Sequence, residues 1–270
     1  MQRPPQLVAA VAIAGITCRI ECHDAAFRAL LAERFAGFHA TGAPELLLRV
    51  EPTAPAPEAA PPGRPGPFAR IGGADGVLTI EGAGFHGRFD EARGEGVIVQ
   101  APDPSPLETF LTAIYAGRLL RGGGFLLHAA ALVADDGAHV FFGPSGSGKT
   151  TVAELVGAGV ISDEIVALRP DGDGWRASGV PWRGTPLEAP VAGCFRLRKA
   201  GATAFRRLGG VGAVRELLPS AFFARADRGE LDRFLAAAAA LVQSVPCWEM
   251  EFTPERAFWD AVPRRARDAA

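Results

Sequence analysis

A glycine-rich loop between an apolar run and a helix-forming run constrains the fold of this chain more than any other feature. The loop is GPSGSGKT, from Gly143 to Thr150; HVFF precedes it and TVAEL follows it. Glycines in such a loop let successive backbone N–H groups turn inward, and the following helix presents its positive end to the same anion. An apolar strand, this loop and a helix in that order predict a phosphate-binding loop in an α/β domain.

The side chains of the loop specify which phosphate ligand it suits. The chain uses arginine for nearly all its positive charge and has only two lysines, Lys149 and Lys199. A compact ammonium is what a phosphate-binding loop requires, so we expect Lys149 to reach the β- and γ-phosphates of ATP and Thr150 to bind Mg²⁺. The predicted nucleotide-binding residues are Gly143, Pro144, Ser145, Gly146, Ser147, Gly148, Lys149, Thr150 and Thr151.

Two adjacent acids, Asp163 and Glu164, follow the loop closely, after a short apolar run. A strand that returns from the helix would bring them to the carboxyl edge of the sheet, where α/β proteins bind ligands. We expect Asp163 to bind Mg²⁺ with Thr150, and one of these acids to accept the proton of an attacking hydroxyl. An exposed acidic turn is the alternative, but such turns usually contain glycine or asparagine, whereas apolar runs lie on both sides of this pair.

Two further residues are candidates for the same site. His128 lies within the apolar run FLLHAAALV, where a lone histidine is more often a core residue than a functional one. Arg183, in GVPWRGTP, is a candidate for contacting phosphate or substrate. A surface arginine beside an aromatic residue is the alternative for Arg183.

The order LLHAAALV, GPSGSGKTT and ISDE resembles the catalytic domain of HPr kinase/phosphorylase, bacterial enzymes that phosphorylate a serine of a carrier protein. It is also similar to HPr-kinase-related proteins, which are often associated with peptide modification. The resemblance implies an α/β fold whose C-terminal phosphate-loop domain is of the type shared with phosphoenolpyruvate carboxykinase, with a smaller N-terminal α+β domain.

The resemblance also implies roles for individual residues. His128 matches a histidine on a strand before the loop, and Asp163 matches the acid taken as the base toward the seryl hydroxyl. Glu164 stands where the family has a second aspartate, and Arg183 belongs to an arginine-glycine motif. Pro181 replaces a metal-associated glutamate before that motif, so the reverse, phosphorolytic activity is not carried over.

The predicted boundary divides residues 1–121, a small α+β domain and a candidate for substrate recognition, from residues 122–270, the kinase-like domain. In the first domain, Asp24 is predicted to cap a helix, and Ser105 with Glu108 to form a capping box at the start of another. The segment Glu51 to Pro67 is rich in proline and alanine and is expected to be extended and solvated.

The charge composition argues against some classes of binding partner. A formal net charge of -2, without a basic or acidic block, gives no electrostatic reason to expect nucleic acid or an anionic membrane as a partner. No apolar run is long enough for a membrane helix, so the chain is interpreted as cytoplasmic. The run CRIEC before His23 is interpreted as a strand with buried thiols and not as a metal site, and the four cysteines are too scattered for a disulfide framework.

These features predict an ATP-dependent kinase that uses Mg²⁺ and phosphorylates a hydroxyl, with a serine of a peptide or small protein as the favoured acceptor. Two alternatives stay open: a kinase for a small molecule, and an ATP-binding switch that transfers no phosphoryl group. The oligomeric state, including a homo-oligomer, is also left open by the sequence.

Overall fold

The computed structural model describes residues 6–53 and 69–263. It is a mixed α/β protein with two mixed sheets, one in each of two units. The first unit comprises residues 1–116 with 223–226, and the second comprises 117–222 with 227–270. Most of the segment predicted to be extended and solvated, residues 54–67, lies outside the described residues, whereas Glu51 and Pro52 belong to a strand.

The first unit is built on a seven-stranded sheet of order β1-β2-β3-β7-β6-β5-β4. Its strands β2, β3 and β7 run parallel, and its other neighbouring strands pair antiparallel. Helix α1 connects β2 to β3, and the carboxylate of Asp24 caps it by accepting the N–H of Phe27 at 2.7 Å, as predicted. The elements are β1 Gln6–Ile13, β2 Ile16–Cys22, α1 Ala25–Arg34, β3 Leu46–Pro52, β4 Arg70–Gly72, β5 Val77–Gly82, β6 Phe85–Asp90, β7 Glu95–Gln100 and α2 Pro104–Arg121.

The predicted capping box at the start of α2 is wrong. Asp103 does the capping, since its carboxylate accepts from both the amide and the hydroxyl of Ser105, at 3.0 and 2.9 Å. Glu108 instead pairs with Arg34, with 2.6 Å between Oε1 and Nε. A contact between residues this far apart in sequence outweighs the local capping pattern.

The CRIEC segment forms part of β2, as predicted. Cys18 and Cys22 are buried, while Glu21 is held by Arg19 at 2.8 Å and by Arg49 at 3.6 Å. Among the residues described, no three of histidine, cysteine, aspartate and glutamate come together in a way that could hold a metal ion. None of the described helices combines the length and apolar character needed to cross a membrane.

The second unit contains the predicted phosphate-binding loop. Its elements are β8 Phe125–Ala134, β9 Gly137–Phe142, α3 Lys149–Val156, β10 Val160–Ser162, β11 Ile165–Asp171, β12 Gly174–Gly179, β13 Glu188–Lys199, β14 Ala204–Arg207, α4 Gly210–Leu217, a 3₁₀ turn Leu218–Ser220, α5 Arg228–Ser244, β15 Cys247–Phe252 and α6 Phe258–Ala261. The apolar runs around His128, before the loop and on both sides of the two acids form β8, β9, β10 and β11.

Strand β8 organises this unit because it pairs with three strands. One of its edges is occupied by β11 and then by β10, and the other edge is occupied by β9, all antiparallel to it. Strand β9 then lies parallel to β13, and β13 lies parallel to β15. Helix α3 packs on this sheet through Val152 and Val156, in a core that includes Phe141 and Phe195. The carboxyl ends of β9, β13 and β15 therefore lie at one edge of the sheet.

Candidate functional site

The loop from Gly143 to Thr150 leaves the carboxyl end of β9 and leads directly into α3. Gly143, Gly146 and Gly148 have φ angles of 150°, 73° and 109°, which side-chain-bearing residues rarely adopt. The backbone conformation at Gly148 favours glycine, and a Cβ there would also lie only 3.0 Å from the ring of Phe252. The predicted glycines thus have a physical reason to be in the loop.

Lys149 and Ser147 are the buried polar side chains of the loop. The ammonium of Lys149 donates to the carbonyl oxygens of Gly143 and Pro144, at 3.0 and 3.2 Å. Burial lowers the pKa of Lys149, and the nearby carboxylate of Glu164 opposes this shift. The hydroxyl of Ser147 is buried and finds no hydrogen-bond partner among the described residues, so it has bonding capacity to offer.

His128 lies beside the loop because of the register between two strands. Ala129 on β8 is paired with Phe142, the last residue of β9, so His128 is level with the start of the loop. The half-buried imidazole has a lowered pKa, mainly because of burial and then because of the charge of Lys149, while Glu164 raises it. His128 is therefore close enough for the charges of Lys149 and Glu164 to change its pKa.

The turn between β10 and β11 carries both acids to the same place. Strand β10 runs along β8 toward His128, and the carbonyl of Glu164 accepts the amide of Ala129 at 3.1 Å. Ile165, the next residue, pairs directly with His128. The short return from α3 thus brings the acids to the edge of the sheet from which the loop leaves, as the sequence predicted.

The two acids differ in their surroundings. Glu164 pairs with Arg183, with 3.4 Å between Oε2 and Nε, and it is the carboxylate that acts on the pKa values of His128 and Lys149. Asp163 is half-buried and makes no side-chain hydrogen bond or ion pair with any residue that the structure describes. Glu164 is paired with Arg183, whereas no described residue engages the carboxylate of Asp163.

Arg183 reaches the acids through its backbone as well as its side chain. Its carbonyl accepts a hydrogen bond from the hydroxyl of Ser162, which lies just before Asp163. Gly184 forms an isolated bridge with Ser162, and the amide of Thr185 donates to Ile161 at 2.8 Å. The segment after β12 is thereby fastened to β10.

One residue near this site was missed by sequence reasoning. Phe222 donates its amide to Leu126 at 3.0 Å, and Ala221 bridges Leu127, so this segment occupies the edge of β8 beyond the end of β9. The half-buried ring of Phe222 lies 6.4 Å from the ring of His128, centroid to centroid. No local sequence pattern indicates this contact, because ninety-four positions separate the two residues.

The remaining predicted residues lie on the open side of the loop. Pro144, Ser145, Gly146 and Thr150 are exposed, and Thr151 is half-buried in the first turn of α3. The inward-turning glycines, the buried cation and the buried hydroxyl of Ser147 fit a polyphosphate. Thr150 offers one oxygen and Asp163 a carboxylate, the hard ligands that suit Mg²⁺ when phosphates supply others.

No model of a known protein family matches this chain, and a search of curated proteins finds no match either. The functional proposal therefore rests on the residues of the chain itself.

Proposed function

We propose that this protein is an ATP-dependent kinase that transfers the γ-phosphoryl group to a hydroxyl, with a serine of a peptide or small protein as the acceptor. One observation carries the proposal: a phosphate-binding loop, a histidine and a pair of acids meet around the carboxyl end of β9. A loop alone supports triphosphate binding, whereas the nearby acids supply what transfer to a hydroxyl requires.

Each residue has a role that follows from its surroundings. The loop amides and Lys149 bind the phosphates, and the charge of Lys149 offsets negative charge on the transferring group. Asp163 accepts the proton of the acceptor hydroxyl, since its carboxylate is not engaged by a described residue. Arg183, which pairs with Glu164, contacts the transferring group, and His128 helps to position the acid turn.

Mg²⁺, when bound, would neutralise part of the negative charge of the phosphates. Thr150 and Asp163 would hold it from the protein side. For Asp163 this role and the role of proton acceptor are alternatives, which the variant Asp163→Asn distinguishes.

The fold of the second unit supports the proposal through its connectivity. A strand that carries a histidine precedes the loop strand as its antiparallel neighbour, and the acids return along the same strand. We propose that this unit has the fold shared by HPr kinase/phosphorylase and phosphoenolpyruvate carboxykinase, and that the enzyme works in the cytoplasm.

The decisive experiment is transfer of labelled phosphate from γ-³²P-ATP in the presence of Mg²⁺. The acceptors are a degenerate library of serine-containing peptides and, separately, free serine and simple sugars. Label in peptides supports the proposal, and label only in free serine or a sugar changes the acceptor to a small molecule. ATP that binds without transfer to any acceptor, or with release of free phosphate only, contradicts a kinase and favours a switch.

A further inference from the structure

Ser162 stands at the end of β10, immediately before the two acids, and is almost fully buried. Its hydroxyl oxygen accepts the amides of Glu164 at 3.1 Å and Ile165 at 3.0 Å. The same hydroxyl donates to the carbonyl of Arg183. A hydroxyl has one donor and two acceptor positions, so all of the bonding capacity of Ser162 is used.

Thr185 makes the reciprocal connection from the other segment. Its hydroxyl donates to Val160 at 2.7 Å and its amide donates to Ile161 at 2.8 Å. Gly184 lies between these contacts, and a Cβ there would come within 2.6 Å of the carbonyl oxygen of Ile161. We call this arrangement the clasp: residues 160–165 and 183–185, joined through Ser162 and Thr185.

The clasp fixes the backbone positions of two residues of the proposed site, Glu164 and Arg183. Glu164 and Arg183 pair at 3.4 Å, but each side chain is about half exposed, at 46% and 49%. An ion pair this exposed contributes little by itself and does not hold two long side chains in one place. The position of both side chains is therefore set mainly by their backbones, which Ser162 joins directly.

We propose that Ser162 is a positioning residue for phosphoryl transfer, and this proposal rests on the proposed kinase function. Its hydroxyl sets the turn that carries Asp163 and Glu164 and connects that turn to the turn that carries Arg183. None of the hydrogen bonds of the Ser162 hydroxyl goes to the phosphate-binding loop, so its loss is expected to misplace the acids without weakening ATP binding. Small misplacements of reacting groups reduce rates by about 100-fold.

The test uses Ser162→Ala in the full chain, with Ser178→Ala as the matched control. Ser178 is also a buried serine of this unit, on β12, and its hydroxyl bonds Glu188 at 3.2 Å and makes no hydrogen bond to the acid turn. Thr185→Val is a second variant that removes the other hydroxyl of the clasp while keeping the side-chain shape. Far-ultraviolet circular dichroism establishes that each variant is folded.

Two measurements are made on each variant. Amide hydrogen exchange measures the protection of the clasp hydrogen bonds and does not depend on catalytic activity. Ser162→Ala is expected to increase exchange at the amides of Glu164 and Ile165, whereas Ser178→Ala should leave it unchanged. Transfer from γ-³²P-ATP to the serine-peptide library is expected to show kcat reduced about 10- to 100-fold by Ser162→Ala, with KM for ATP within about twofold of wild type. Thr185→Val is expected to act in the same direction.

Each result decides something different. If Ser162→Ala lowers kcat no more than Ser178→Ala, or raises KM for ATP instead, the positioning role is wrong while the kinase function stands. If exchange at Glu164 and Ile165 is unchanged, the clasp does not hold the turn and the inference is overturned. If the wild-type protein transfers phosphate to no acceptor, the kinase function fails and the positioning role fails with it, even where the exchange results show an intact clasp.

Discussion

The ammonium of Lys149 bonds to the carbonyl of Gly143 across the turn of its own loop, at 3.0 Å. Replacing Lys149 with alanine removes the buried cation that we expect to bind the phosphates. Hydrogen bonds to charged groups contribute about 1.5–3 kcal/mol, so the Kd for ATP should rise roughly 10- to 100-fold, as measured by isothermal titration calorimetry. Lys199→Ala is the natural control because it removes the exposed second lysine of the chain. Equal weakening by both substitutions would contradict a specific role for Lys149.

Asp163 and Glu164 should respond differently to isosteric neutralisation. Asp163→Asn is expected to lower phosphoryl transfer by about 100-fold or more, the usual contribution of a general base, with ATP still bound. Glu164→Gln removes a negative charge near Lys149, so ATP should bind the same or roughly two- to fivefold more tightly, consistent with a partly exposed ion pair. Kinetics and calorimetry on both variants test this. Loss of Mg²⁺-dependent ATP binding in Asp163→Asn would instead assign that acid to the metal.

Phe222 is expected to keep water away from the transfer site. Its ring lies beside His128, and truncation to alanine would open that side, allowing water to compete with the acceptor hydroxyl. The ratio of free phosphate to phosphorylated acceptor should therefore rise in Phe222→Ala. Phe205→Ala serves for comparison, since Phe205 is a half-buried phenylalanine on β14. A ratio that changes equally in both variants would point to general loosening.

His128 should make the protein less stable in mild acid. Burial and Lys149 lower its pKa in the folded state below the unfolded value of about 6.5, so the unfolded chain binds more protons between these two values. Stability is therefore lost as the pH falls below about 6.5 and through the lower, folded pKa. Urea unfolding at pH 7.5 and pH 5.5 should show a smaller loss for His128→Asn than for wild type. An identical loss in both proteins would show that this imidazole is not the group responsible.

The loop and its flanking elements could be predicted from sequence because their signals are local. Apolar runs indicated strands β8 to β11, and glycines, a lysine and a threonine at fixed spacing indicated the loop. The position of the acids followed from the short distance between α3 and β10, which leaves the chain little choice of path.

The contacts that complete the site could not be predicted, because they join segments far apart in the chain. Ser162 and Arg183 are 21 positions apart, and nothing in either segment indicates the other. The capping box at the start of α2 failed partly for a similar reason, since Glu108 pairs with the distant Arg34, while Asp103 caps the helix. The return of residues 223–226 to the first unit likewise has no local signal.

Strand β8 has a consequence for the order in which the chain folds. The strands that it pairs with, β9, β10 and β11, all follow it within the run from Phe125 to Asp171. Strands that are close in the sequence close short loops when they pair, and such pairs form quickly. The pairing of β13 with β15, in which Cys194 lies opposite Cys247, must close a much longer loop. A chain synthesised only as far as Asp171 therefore already contains the histidine, the lysine and both acids, and Arg183 joins them later.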